Sequence, residues 1–183
     1  MNIYLNRAMS NKSFFLYIIL LFSTNSYAHL DDHLIKAGFL EKFALFTEWP
    51  PESKFKDCSK PFIISVLGQD PIINDLEKIY KHYRINNKDV KIRTISKINE
   101  IEDSDILYLT ESIKDNIPEI IKYTENLPII TVCDTENCAE IGCHIGFYIT
   151  DKGTVHFKIN VSKMKQAGLK MNVLVLDIAK IIK

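Results

Sequence analysis

The chain of 183 residues is long enough to bury a core of its own and falls within the size of one domain. Its 23 basic and 23 acidic residues cancel, which leaves no electrostatic footprint for a nucleic-acid backbone and removes nucleic acid from the expected partners. Hydrophobic residues at 46% and charged residues at 25% exclude a disordered, collagen-like or coiled-coil chain, and four cysteines are too few for a disulfide scaffold.

Arg7 and Lys12 precede a nine-residue apolar run from Phe14 to Phe22, which is followed by Ser26-Tyr27-Ala28. This is the layout of a secretory signal peptide cut after Ala28. Nine apolar residues are well short of the roughly 20 that span a bilayer as a helix. Residues 1–28 are therefore expected to be removed, with 29–183 forming one exported domain that does not itself span the membrane. No cysteine follows Ala28, so no lipid anchor is expected.

From Leu34 to Trp49 the spacing of Ile35, Phe39, Phe43 and Phe46 predicts a helix, stopped by Pro50-Pro51. Phe62–Leu67 is a continuous apolar run closed by Gly68 and predicts a strand buried on both faces. Asp70-Pro71 then opens a helix carrying Ile72, Leu76 and Ile79, since aspartate caps free amides and proline suits the first turn. Strands are predicted at 90–95, 105–109 and 127–132, with a short turn at 98–101 and a helix over 113–123. Strands alternating with helices imply a mainly parallel sheet flanked by helices, a Rossmann-like three-layer α/β fold. The C-terminal quarter departs from this: 145–150 and 154–159 flank a Lys-Gly turn as a β-hairpin. Two helices are expected to follow, one over 161–167 and one capped by Asn172 that turns Leu174, Ile178 and Ile181 inward.

Open α/β sheets bind ligands beyond the carboxyl ends of their strands, and the segment Leu67-Gly68-Gln69-Asp70-Pro71 occupies such a position. One glycine there makes neither a dinucleotide fingerprint nor a P-loop. The chain has no Gly-x-Ser-x-Gly elbow and no His-Glu-x-x-His helix. No catalytic residue and no cofactor are expected, and the protein is read as a non-enzyme.

Cys133, Cys138 and Cys143 follow a C-x4-C-x4-C spacing, with His144 directly after. Zinc sites usually open with a shorter spacing, and export exposes thiols to oxidation, so a disulfide is expected in place of a metal. The first pairing expected is Cys138 with Cys143, in one loop, with Cys133 competing for either. Cys58 precedes the first strand while Cys133 ends a later parallel one, which disfavours their pairing. His29 at a new amino terminus, with His33 four residues on, would offer imidazoles to copper, but a terminus lacks the ordered support a metal site needs. No metal ligand is assigned.

The stretches Leu127–Asp134, Ala139–Gly142, Ile145–Phe147, Val155–Asn160 and Gly168-Leu169 resemble the YfiR-like (YfiR/HmsC) family of periplasmic regulators. Lys36-Ala37, Phe46, Trp49-Pro50, Val66-Leu67-Gly68 and Leu174–Ile182 agree with it, so the likeness covers nearly all of 34–183. Paired glycines usually stand where this chain has Gly142-Cys143, a serine is common at the place of Cys133, some relatives carry a cysteine at the place of Cys138, and Cys58 has no counterpart. The resemblance implies an exported α/β protein that binds the periplasmic sensor region of an inner-membrane diguanylate cyclase and holds it inactive, lowering cyclic-di-GMP and biofilm formation. It also implies that redox state and envelope stress tune that hold. A homodimer is a second partner class, and a periplasmic small-ligand or metal binding module is the alternative function. The partner surface is expected around Gly142, Ile145 and Phe147, with Trp49 and Pro50. Trp49 reads first as core packing and second as an interface anchor.

Overall fold

The computed structural model describes residues 28–182. The expected leader at 1–28 thus lies outside the described residues except for Ala28, and His29 falls in a helix whose first side chains are not described.

Helix α1 (Ala28–Leu45) ends four residues before the position the prolines suggested. Side chains terminate it: the Thr47 hydroxyl donates to the Phe43 carbonyl at 2.7 Å and the Trp49 indole N–H donates to the Ala44 carbonyl at 3.0 Å. Both satisfy carbonyls that the last turn leaves without a helical partner. Thr47-Glu48 then forms β1, which pairs antiparallel with β8 (Lys170–Met171). The inward face of α1 is Lys36, Ala37, Leu40, Phe43 and Ala44, rotated from the expected one, so that Ile35 is exposed and Phe39 is partly covered.

Strand β2 (Phe62–Leu67) leads into α2 (Ile72–Tyr80). The Asp70 carboxylate accepts from the Ile72 amide at 2.8 Å, the capping role expected of it. There follow β3 (Val90–Ile95), β4 (Ile106–Leu109), α3 (Ile117–Thr124), β5 (Ile130–Cys133) and the short α4 (Cys138–Ile141). The predicted helix over 113–123 is divided: a 3-10 stretch over Glu111–Asn116, broken at Ile113, precedes α3. The hairpin of β6 (Ile145–Ile149) and β7 (Val155–Asn160) turns at Gly153, whose positive φ of 74° suits a residue without a Cβ. Helix α5 (Val161–Gln166) follows.

The seven-stranded sheet, completed at its edge by β9 (Lys180–Ile182), has the order β3-β2-β4-β5-β6-β7-β9. Strands β2 to β6 run parallel, β7 is antiparallel to β6, and β9 is parallel to β7. Alternation along each strand sends Ile64, Val66, Ile106, Tyr108, Ile130, Val132, Ile145 and Phe147 into a core with α1 and α2. Leu67, Leu107, Leu109 and Cys133 enter a second core with Ile117, Ile120 and Ile121 of α3. Two cores on opposite faces of one sheet make the three-layer α/β architecture.

The C-terminus corrects the expectation of a long final helix. Asn172 caps as predicted, its side chain accepting from the Leu174 amide, but helix α6 covers only Val173–Leu176. The chain then adds β9 (Lys180–Ile182) to the sheet edge. Val175 is the inward residue, while Leu174, Ile178 and Ile181 face outward. The β-branched Ile181-Ile182 pair suits a strand, and the free edge of β7 offers hydrogen bonds that a lone terminal helix cannot match.

Candidate functional site

The carboxyl ends of β2 and β4 are closed by side chains. Strand order reverses between β2 and β4, where α/β sheets open a ligand crevice. Here Gly68 follows β2 with φ 98°, and a Cβ on it would lie 2.1 Å from the Thr110 hydroxyl and 2.5 Å from that of Ser112. The Gln69 amide donates to Ser112 Oγ at 3.1 Å. The backbone group that a phosphate would need is therefore already bonded within the chain. Further along the same edge, Lys36 of α1 places Nζ 2.7 Å from Asp134 Oδ2, with both side chains largely covered, and the Tyr108 hydroxyl donates to the same oxygen at 3.2 Å. Burial, then the charges of Asp134 and Asp70, push the Tyr108 hydroxyl well above the usual tyrosine range. His33 Nδ1 lies 3.6 Å from Asp70. This polar cluster fastens α1 across the strand ends.

Next to it the three cysteines converge. Cys133 is the last residue of β5, Cys138 the first of α4, and Cys143 follows the turn that leads into β6. Asn137, at φ 61°, starts α4 and Gly142, at φ 126°, ends it. A Cβ at Gly142 would stand 3.0 Å from Ile121 Cγ2. The helix is one turn long, which brings residues five apart to the same place: the Cys143 amide donates to the Cys138 carbonyl at 3.0 Å. All three sulfurs lie within 4.8 Å of one another and all are buried.

The bond in the structure is Cys133–Cys138, with Cα atoms 6.5 Å apart. The expected first pairing of Cys138 with Cys143 is thus replaced by the competing one, because the α4 turn lays Cys138 back over the end of β5. Cys143 is free and buried; burial pushes its thiol up to about 12. Cys58 is free and exposed.

His144 does not join the cysteines. Its Nδ1 accepts from the Thr131 amide at 3.1 Å, while its own amide donates to Thr131 Oγ1 at 2.9 Å. This reciprocal pair ties the β6 entry to β5. Burial pushes the imidazole down to about 4, so it is neutral near pH 7.

Most of the expected partner surface is core. Ile145 is 0% and Phe147 3% exposed, since β6 lies between β5 and β7 and both residues face α1. Gly142 is buried. Trp49, at 7%, stacks on Phe55 with centroids 4.9 Å apart and meets Phe62 edge-on at 6.3 Å, which resolves its two readings in favour of packing. Pro50 is half-buried. Sequence reasoning missed the surface that is open: Val173, Leu174 and Ile178 are 62%, 63% and 62% exposed. An apolar groove of about 310 Å³ lined by Val161, Met164, Leu169, Met171 and Leu176 belongs to the same C-terminal region. The outward apolar residues looked like the inward stripe of a helix, and that reading hid them.

The family model described as YfiR/HmsC-like matches residues 33–180 of the chain. None of the curated proteins matches it. Among solved structures, a conserved domain protein from Vibrio cholerae O1 biovar El Tor is similar with a TM-score of 0.56 at 14% identity, covering 80% of this chain and 60% of that one. The ABC domain in complex with L-Trp from Streptococcus pneumoniae is similar with a TM-score of 0.50 at 14% identity, covering 66% of this chain and 56% of that one. The chain thus spans little more than half the length of these two proteins, and the likeness is one of fold. No helix among the described residues is long and apolar enough to cross a membrane.

Proposed function

The chain belongs to the YfiR/HmsC-like family, and from that premise we propose that it is an exported regulator that binds the periplasmic sensor region of an inner-membrane diguanylate cyclase and holds it inactive. The family match across 33–180 is the observation that carries this reading. The strand-end crevice filled by Thr110 and Ser112 also favours a binding role over nucleotide chemistry.

The contact surface in this reading is the C-terminal segment, where Leu174 and Ile178 stand out from the protein. A repressor must bind the inactive form of its target better than the active one, and a 100-fold preference corresponds to about 2.7 kcal/mol. Burying one exposed leucine or isoleucine contributes about 1.5–3 kcal/mol, so two such side chains are enough. Deleting the gene should raise cyclic-di-GMP, and removing the partner cyclase as well should abolish the rise. Leu174→Asp combined with Ile178→Asp should reproduce the deletion while the circular dichroism spectrum is unchanged. Unaltered cyclic-di-GMP on deletion, with no membrane cyclase recovered alongside the purified protein, would overturn the proposal.

A further inference from the structure

Cys133, Cys138 and Cys143 are the one group of three metal-ligating side chains gathered together among the described residues. We infer that, once the Cys133–Cys138 bond is reduced, these three sulfurs bind a single copper(I) ion in a three-coordinate thiolate site.

The spacing fits. A metal–thiolate bond of about 2.3 Å, arranged in a plane of three, separates the sulfurs by about 4.0 Å. The Cys143 sulfur lies within 4.8 Å of the other two, and once the Cys133–Cys138 bond is reduced those two sulfurs must part to the same separation of about 4.0 Å, a movement shared between two side chains. The donors come from three fixed places: the end of β5, the start of α4 and the residue after the Gly142 turn. Helix α4 is held from outside by the Asn160 side-chain amide, which donates to the Ala139 carbonyl at 2.8 Å. Gly146 leaves the room that Cys138 needs, since a Cβ there would stand 3.1 Å from its sulfur.

The donor set selects the ion. Sulfur alone favours soft metals and rejects magnesium and calcium. Zinc in a closed site takes four ligands, and His144, next to Cys143 in the chain, is not gathered with the three sulfurs and has its Nδ1 committed to the Thr131 amide. Thr135 Oγ1, 3.4 Å from Cys133 Sγ, is an outer hydroxyl able to donate to a thiolate. Burial keeps water from completing a larger coordination shell. Three thiolates without a fourth donor suit copper(I).

The chemistry balances in two steps. A thiol or phosphine reductant supplies two electrons, and with two protons the Cys133–Cys138 bond becomes two thiols while the reductant is oxidised. Copper(I) then displaces three thiol protons to give a site of net charge −2, with no change in oxidation state.

Anaerobic protein reduced with a phosphine, then freed of it, is titrated with copper(I) against bicinchoninate as competitor. One equivalent per chain is expected, with X-ray absorption showing three sulfur neighbours. Cys143→Ser should weaken binding at least 100-fold and Cys58→Ala should leave it unchanged. Cys143→Ala provides the same comparison with an apolar residue in the buried position if the serine variant does not fold. Untreated protein with its disulfide intact should take up no copper(I). Failure of the reduced wild-type protein to bind, retention of full affinity by the Cys143 variants, equal uptake by the oxidised protein, or a tetrahedral zinc site preferred over copper(I) would each overturn the assignment.

Discussion

Truncating Trp49 separates packing from partner contact. The side chain is 7% exposed, stacks on Phe55 at an interplanar angle of 15°, and caps α1 through the Ala44 carbonyl. Trp49→Ala removes the ring and leaves a cavity, a change that costs about 3–5 kcal/mol in protein cores. Within that cost, the unpaired Ala44 carbonyl contributes about 1–3 kcal/mol. For a domain of this size about 4 kcal/mol lowers Tm by roughly 8–16 °C. Trp49→Phe keeps the stack and loses the indole hydrogen bond, so it should cost about 1–2 kcal/mol. Urea and thermal unfolding followed by circular dichroism measure both, since the variants lose the only tryptophan. A loss below about 1 kcal/mol for Trp49→Ala, well under the range for core aromatic residues, would refute the core assignment. If that small loss came with failure to capture a membrane partner, the anchor role would be restored.

His144 gives the fold a pH dependence of definite sign. Its imidazole is held down to about 4 in the folded state against about 6.5 when unfolded, so the unfolded chain binds more protons between these values. Stability is then fully present above about pH 6.5 and falls by about 3 kcal/mol as pH drops to 4. His144→Asn, whose amide oxygen can still accept from Thr131, should flatten that part of the profile in pH-dependent urea titrations; an unchanged slope would count against it. For the cysteines, native alkylation should modify Cys58 alone, Cys143 should react only after denaturation, and unreduced peptides should show Cys133 linked to Cys138. Closing so short a loop contributes only about 2 kcal/mol, so reduction should leave the chain folded, whereas a Cys138–Cys143 link would contradict the geometry described above.

Local chemistry was enough to read much of the sheet. Phe62–Leu67 is a strand in both readings because a six-residue apolar run ending in glycine has few other uses in a buried α/β protein. The hairpin turn at Gly153 and the caps at Asp70 and Asn172 follow from short-range backbone needs that the adjacent residues meet. The likeness to the YfiR/HmsC-like family was also legible, since order and spacing of short motifs survive without any single diagnostic residue.

What the tertiary structure decided is whatever depends on residues far apart in the chain. The face that α1 turns inward is fixed by Lys36 meeting Asp134, 98 positions away, a contact that apolar periodicity does not record. Val173–Ile182 reads as an amphipathic helix by spacing, yet β7 presents an unpaired edge and the last residues take it as β9, so apolar side chains expected inside face solvent. Ile145 and Phe147 lie on an interior strand covered by α1, a position that depends on where β5 and β7 fall. The cysteine spacing showed that a bond was near. Which two sulfurs meet depends on a one-turn helix bounded by Asn137 and Gly142, because only the folded turn sets which sulfur reaches the end of β5.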